Sequence, residues 1–461
     1  MKVYQLCYSK IKGKEMLKAV IAPKNSLLFL PWNWPLMKLM PTMYLKSHQL
    51  YDKITEILVE NKGTILFKTS WFTNLDILVT SDPANVQHVL NSNYSIYQRG
   101  SEFRKAFDFL GPAAFTKDLH EWREDKKFTH AFYKEIKFHK STPKIIHHTL
   151  ENGLLPVLDH VSQQNQVLDL QNLFNRYMLD ATCLSATGFD LGSLRVDFPK
   201  APLLDAMDDI AEAVKRIAAK NQETGDDFDV LKFYLAEAGG GSKGSKKHAE
   251  KGFLVANIAT LLFAGRDTSA GLLTWFFYLI SKNPLVENKI LEEIRQFSPP
   301  QKYLFSKVEE LSKLVYLHSV LIESLRLYPT VPVIIRDPTK EDVLPSGHKV
   351  DQTTKVFLCT YAMGRMPEIW GKDCNEFKPE RWISGKEQVK HVASHIFLAF
   401  GSGPWACPGR EVAFTRMKAV VATILHNFHV RVLDGQSISP SVSATLYIKH
   451  GFKATLSNRW V

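Results

Sequence analysis

The chain is short of the features that would tie it together covalently or carry it through a membrane. Its five cysteines, Cys7, Cys183, Cys359, Cys374 and Cys407, are odd in number and form no CxxC pair. That argues against a disulfide framework and for a reducing compartment. Cys374 lies among polar residues and is expected to be an exposed, idle thiol. Neither a signal peptide nor a spanning segment opens the chain. Its longest apolar run there, about Leu27 to Pro31, falls far below the ~20 residues a spanning helix needs. Lys2, Lys10, Lys12, Lys14 and Lys18 make this end basic instead. Residues 1–30 are therefore expected to form a basic N-terminal segment without a membrane anchor. The formal charge is +11, yet no arginine-rich tract or nucleic-acid motif accompanies it. The excess fits an acidic protein partner or an anionic membrane surface, and nucleic acid is discounted. Gly239 to Lys247 is glycine-, serine- and lysine-rich but lacks phosphate-loop spacing, so it reads as a linker.

What is present suffices for a large core. The chain has 461 residues, 45% of them hydrophobic and 23% charged, which permits a single large α-rich fold. Tyr51 to Asn61 has the pattern of an amphipathic helix. Thr64 to Phe67 and Leu75 to Thr80 have that of strands around a turn at Trp71 to Asn74, and Pro83 to Leu90 opens another helix. Trp122 to Lys127 begins a further helix, and residues 153–191 read as helices. Residues 31–41 are too punctuated by proline to be helical throughout. Residues 251–282 form a long apolar segment interrupted by Arg266, Asp267 and Thr268. Adjacent Arg and Asp in mid-span are costly in lipid, so a helix buried in protein is preferred to a transmembrane one.

Chemistry concentrates near the C-terminus. Phe400, Gly401, Ser402, Gly403, Pro404, Trp405, Ala406, Cys407, Pro408 and Gly409 run directly into a helical pattern at Ala413, Met417, Val420, Val421, Ile424 and Phe428. A thiol at a helix entrance meets unpaired N–H groups and the positive end of the dipole, which lower its pKa. Glycines at 401, 403 and 409 permit sharp turns and close approach to a flat ligand. Upstream, Ala264, Gly265, Arg266, Asp267 and Thr268 interrupt the apolar helix. Gly265 is expected to leave space for a small ligand, and Thr268 and Asp267 offer a hydroxyl and a carboxylate for proton transfer. Glu323 and Arg326 stand at i, i+3, a spacing as common in surface ion pairs.

Taken together, these stretches resemble the cytochrome P-450 family: the Ala264 to Thr268 groove, Glu323-x-x-Arg326, Phe377-Lys378-Pro379-Glu380-Arg381 and the Phe400 to Gly409 signature, in that family's order. The resemblance implies a mostly α fold with a smaller β-rich region, residues 31–461 forming one haem-thiolate catalytic domain. It implies haem b with Cys407 as axial ligand, Phe400 beside it, and Trp122, Lys126 and Arg336 near the haem carboxylates. Asp267 and Thr268 would deliver protons, and Glu323, Arg326 and Arg381 would lock the cysteine loop. Lys126 stands where relatives have Arg and loses its bidentate fork. Trp405 stands where relatives have Arg or His, and an indole with one donor does not replace a guanidinium.

Val343 to Val350, Met363 to Met366 and Ile369 to Cys374 are most similar to the plant branch that hydroxylates long-chain fatty acids and alkanes. The implied reaction inserts one oxygen atom of O₂ into a C–H bond of an apolar substrate, with electrons from an NADPH-dependent reductase. The implied location is the cytoplasmic face of the endoplasmic reticulum membrane. Two features depart from the resemblance: the anchor is not in this chain, and two helices expected over the substrate cavity do not fit between about 217 and 226. A phenol-coupling oxidase acting on an alkaloid-type substrate, a haem-thiolate lyase or isomerase, and a truncated haem-binding pseudoenzyme therefore stand as alternatives.

Overall fold

The apolar run Lys251–Lys282 is a helix of 32 residues, and the other long helices assemble around it. The computed structural model describes residues 49–67, 76–113, 115–198, 230, 251–385 and 388–460. The expectations for residues 1–30, 31–41, the Trp71 to Asn74 turn, the shortened stretch at 217–226 and the 239–247 linker lie outside these residues.

Among the described residues, nine helices have nine residues or more. They are α1 (Leu50–Glu60), α2 (Leu119–Lys134), α3 (Ile136–Thr149), α4 (Leu155–Gln163), α5 (Leu170–Thr187), α6 (Lys251–Lys282), α7 (Pro284–Arg295), α8 (Val315–Leu327) and α9 (Arg410–Asn427). Helix α6 packs on α5, α7, α8 and α9. It is apolar all round because it is surrounded: Leu272, Leu273, Trp275, Phe276 and Phe277 are buried in the main core. Trp275 stacks on Tyr328 at 4.0 Å, and its indole N–H donates to the Leu446 carbonyl at 3.0 Å. No helix among the described residues is long and apolar enough to cross a membrane.

The β-rich region is a five-stranded sheet in the order β1 (Thr64–Phe67), β2 (Asp76–Thr80), β8 (Thr354–Leu358), β5 (Ile334–Pro338), β3 (Tyr97–Gln98). Strand β2 runs parallel to β8, and the other pairs are antiparallel. Between β5 and β8 lie β6 (Asp342–Val343) and β7 (Lys349–Val350), an antiparallel pair. Elsewhere β4 (Leu168–Asp169) joins β12 (Lys453–Asn458) and β11 (Phe428–Val432), while β9 (Ile383–Ser384) and β10 (Gln388–Val389) pair by themselves. Asp169 ends β4 and caps α5, its carboxylate accepting from the N–H groups of Gln171 and Asn172.

Two expectations change. Cys374 is buried, because the carbonyls of its turn face inward to Arg326. Phe428 is the first residue of β11, since α9 ends at Asn427.

Candidate functional site

The stretch before α9 folds back on itself. The Cys407 N–H donates to the Phe400 carbonyl at 2.7 Å, closing a loop tightened by Trp405 N–H to Ser402 O and Ala406 N–H to Gly403 O, both 3.1 Å. Gly403 has φ +57, and a Cβ there would lie 2.7 Å from the Leu90 carbonyl, so only glycine fits. The buried Ser402 hydroxyl meets Asn91 Nδ2 at 2.9 Å and the Ser394 hydroxyl at 2.8 Å. Phe400 packs on Phe414 of α9 at 5.2 Å, with the Arg410 guanidinium over its ring at 5.7 Å. Gly409 caps α9 at φ −88. It needs no left-handed turn, and its N–H reaches the Cys407 thiol.

Cys407 is exposed, although protein packs closely enough around the sulfur for burial to push its pKa up. The Gly409 N–H, Lys126 and Arg410 pull it back. The net shift is upward, against the expectation from the helix entrance. A coordinating metal ion removes the proton from such a thiol outright.

Lys126 and Trp122, one turn apart on α2, both reach this loop. Lys126 donates to the carbonyls of Pro404 and, at 2.9 Å, Ala406, and its ammonium lies 5.2 Å from the Trp122 ring. Burial lowers its pKa to about 8. Trp122 is buried and stacks on Trp405, centroids 4.0 Å apart. The guanidinium groups of Arg336 and Arg99 also lie over the Trp405 ring, at 4.5 Å and 5.1 Å from its centroid. Nothing in the sequence singled out Arg99. Strand pairing puts it there: β3 aligns Gln98 with Asp337 of β5, so the next residue on one strand and the previous one on the other, Arg99 and Arg336, converge. Burial lowers both guanidinium pKa values, and the Arg336 charge lowers that of Arg99 further. Arg336 Nε and Trp405 Nε1 are buried without a hydrogen-bond partner.

On α6, Ala264 is exposed in mid-helix. Thr268, one turn on, donates its hydroxyl to the Ala264 carbonyl at 2.7 Å. Asp267 Oδ1 accepts from Arg266 Nε at 2.6 Å. Gly265 turns toward α5: a Cβ there would come within 2.8 Å of Thr182 Oγ1. Its missing side chain lets two helices touch, which corrects the expectation of room for a small ligand.

Glu323, Arg326 and Arg381 come together. Glu323 and Arg326, side chains 0% exposed, pair at 2.7 Å and 2.8 Å, and Arg381 Nε donates to Glu323 Oε1 at 2.9 Å. Trp382 Nε1 and the Lys378 N–H complete the carboxylate, each at 2.8 Å. The remaining guanidinium N–H groups of Arg326 go to the carbonyls of Gly364, Cys374 and Glu376.

These donors fit haem b. An exposed thiol stands at the entrance of α9, and the buried Arg336 guanidinium and the Trp405 indole each have a partnerless N–H to offer the haem carboxylates. Comparison with known proteins agrees. A family model described as Cytochrome P450 matches residues 201–454. Alkane hydroxylase MAH1 of Arabidopsis thaliana is 35% identical, the alignment covering 93% of each chain. Noroxomaritidine synthase 2 of Narcissus pseudonarcissus is 33% identical over 97% of this chain and 94% of its own. Cytochrome P450 86B1 of Arabidopsis thaliana is 32% identical over 93% and 86%. From its signature loop to this near full-length likeness, the chain belongs to the cytochrome P450 family, as a haem b oxidoreductase that uses O₂ and electrons from a reductase partner to oxidise an organic substrate.

Proposed function

We propose that the chain hydroxylates an apolar long-chain substrate, a fatty acid or an alkane, with Cys407 as the axial ligand. The observation that carries this reading is the Cys407 thiol, exposed at the entrance of a helix that packs against α6, the helix bearing Ala264 to Thr268. Likeness to an alkane hydroxylase supports the substrate class. Haem b, when bound, supplies the iron at which O₂ is activated, and a thiolate ligand pushes electron density toward it. Cys407 Sγ gives that ligand, and the Gly409 N–H, Lys126 and Arg410 favour its negative charge. Thr268 Oγ1 is the proton donor at the groove, released by rotation from the Ala264 carbonyl. Asp267 Oδ1, steadied by Arg266, returns the proton from solvent.

Electrons enter from the side of α2. A groove of about 610 Å³ runs between α2 and the cysteine loop, and Arg123, Lys127 and Lys134 line it. This cationic lining suits an acidic reductase. We place the protein at the cytoplasmic face of the endoplasmic reticulum membrane, with that partner.

The ring cluster of Phe103, Phe107, Phe109, Phe115 and Phe263, with centroid distances of 4.6–6.2 Å, adjoins Ala264. It favours a second reading, phenol coupling on an aromatic, alkaloid-type substrate.

The test is spectral and then chemical. Reduced, CO-bound protein is expected to show the long-wavelength Soret band of thiolate haem, and Cys407→Ser to lose it while the fold persists. An unchanged spectrum in that variant would sink the ligand assignment. Thr268→Ala is expected to keep the band and divert electrons to peroxide. Assays with long-chain acids, alkanes and phenolic alkaloids then separate the two readings.

A further inference from the structure

Arg416 of α9 is a buried cation without an anion. It is 6% exposed. Its guanidinium donates to the Ser185 hydroxyl and, at 3.5 Å, to the Thr182 hydroxyl, both on α5, while Nε is buried without a partner. The groups whose charges would favour it are two phenols, Tyr133 and Tyr177, and no carboxylate stands with them. Burial pushes each phenol's pKa up to about 12, so both are neutral at pH 7. A lone buried charge is costly, and folds seldom keep one.

Helix geometry says where this charge lies. Arg416 follows Gly409, the cap of α9, by seven residues. It is therefore two turns further along, about 10 Å, and within about 20° of the same face. Helical side chains lean toward the N-terminus, which brings the guanidinium back toward the cysteine loop. At Gly409 that face meets Tyr133: a Cβ there would lie 3.5 Å from the Tyr133 hydroxyl and 4.0 Å from Cys407 Sγ. Tyr133 feels both groups, a charged Cys407 holding its proton on and Arg416 drawing it off. Thr182, the other neighbour, lies against Gly265 of α6. Arg416 thus sits behind both the ligand loop and the Ala264 to Thr268 stretch.

We propose that Arg416 is the countercharge of the reduced cofactor: its unpaired cation favours the state in which haem, held by Cys407, has taken one electron from the reductase, and so raises the reduction potential. This rests on the haem-binding reading above. The charges of ferric iron, the porphyrin ring and a thiolate cancel, and one added electron leaves a single negative charge for a buried cation to balance. A thiolate ligand pushes electron density toward iron, and Arg416 opposes the resulting difficulty of reduction.

The experiment is a redox titration of the reconstituted full-length chain against dyes of known potential, with the CO band recorded alongside. A unit charge roughly 12 Å away, at an effective dielectric constant of about 20, changes an equilibrium constant about tenfold, or ~59 mV for one electron. Arg416→Gln is expected to lower the reduction equilibrium constant by about that factor, and Arg416→Lys, which keeps the charge, to stay near the wild type. Ser185→Asp leaves Arg416 in place and sets a carboxylate on it. It is expected to lower the potential likewise and to raise the apoprotein Tm, as a buried charge gains its partner. Absence of the CO band in the wild type removes the haem-thiolate reading itself, and the countercharge with it. With the band present, an unchanged potential in Arg416→Gln and Ser185→Asp overturns the proposal. So does an equal fall in Arg416→Lys, which would make the shape of the guanidinium the cause. Chloride that lowers the wild-type potential to that of Arg416→Gln would overturn it too, since an ion would then balance the guanidinium.

Discussion

Arg326 and Arg336 stand ten residues apart, are both nearly fully buried at 1% and 6% exposure, and belong to opposite kinds of place. Around Arg326 everything is paired: a carboxylate takes two of its N–H groups, and three carbonyls take the rest. Around Arg336 one N–H goes to the Ile335 carbonyl at 2.7 Å, its guanidinium faces an aromatic ring, and Nε has no partner. A saturated buried cation is part of the scaffold, whereas an unsaturated one is held ready for something the chain does not itself provide.

Substitution separates the two most sharply. Arg326→Ala strands the Glu323 carboxylate with only Arg381 as a charged partner and should cost ~3–5 kcal/mol, seen as aggregation or a large fall in Tm with or without haem. Arg336→Leu should do the reverse in the apoprotein. It removes a cation without a carboxylate of its own, so Tm is expected to hold or rise, while haem retention falls. If both variants lower the apoprotein Tm alike, the distinction between the two arginines is lost.

His318 gives the smallest effect and marks the limit of the comparison. It lies against Phe414 at 4.3 Å with Nδ1 partnerless. Burial, with the Lys418 and Arg410 charges behind it, lowers its pKa from the usual 6.5 to about 3. A neutral imidazole tolerates this. Between about pH 6.5 and pH 3 the unfolded chain takes up a proton that the folded chain refuses, so stability falls as pH falls through that window. His318→Leu should flatten this part of the acid limb in thermal melts. An identical pH slope in the two proteins would mean that the imidazole is protonated in the fold.

The features most legible in the sequence were those whose cause is local. Helix α6 begins and ends at Lys251 and Lys282 because its apolar run does. Glu323, Arg326 and Arg381 were legible through spacing that the family resemblance supplied. What stayed hidden depends on contacts distant in sequence. Cys374 sits among Lys372, Asp373, Asn375 and Glu376, and only the inward turn of the carbonyls to Arg326 buries it. Arg99 has no motif around it, and strand register alone brings it to Arg336. The purpose of Gly265 was misread because its neighbour, Thr182, lies on another helix.

That last contact fixes an angle. A helix of 32 residues is about 48 Å long at 1.5 Å per residue, and an apolar rod of that length has little on its own surface to set its rotation. Thr182 acts as an index pin: Gly265 is the notch it enters, with no space there for even one added carbon. Each residue advances the helix by about 100°, so with Gly265 turned to α5 the direction of Ala264 and Thr268 is settled as well. The bearing of the Thr268 hydroxyl is thus set on the back of the helix, by a threonine of α5.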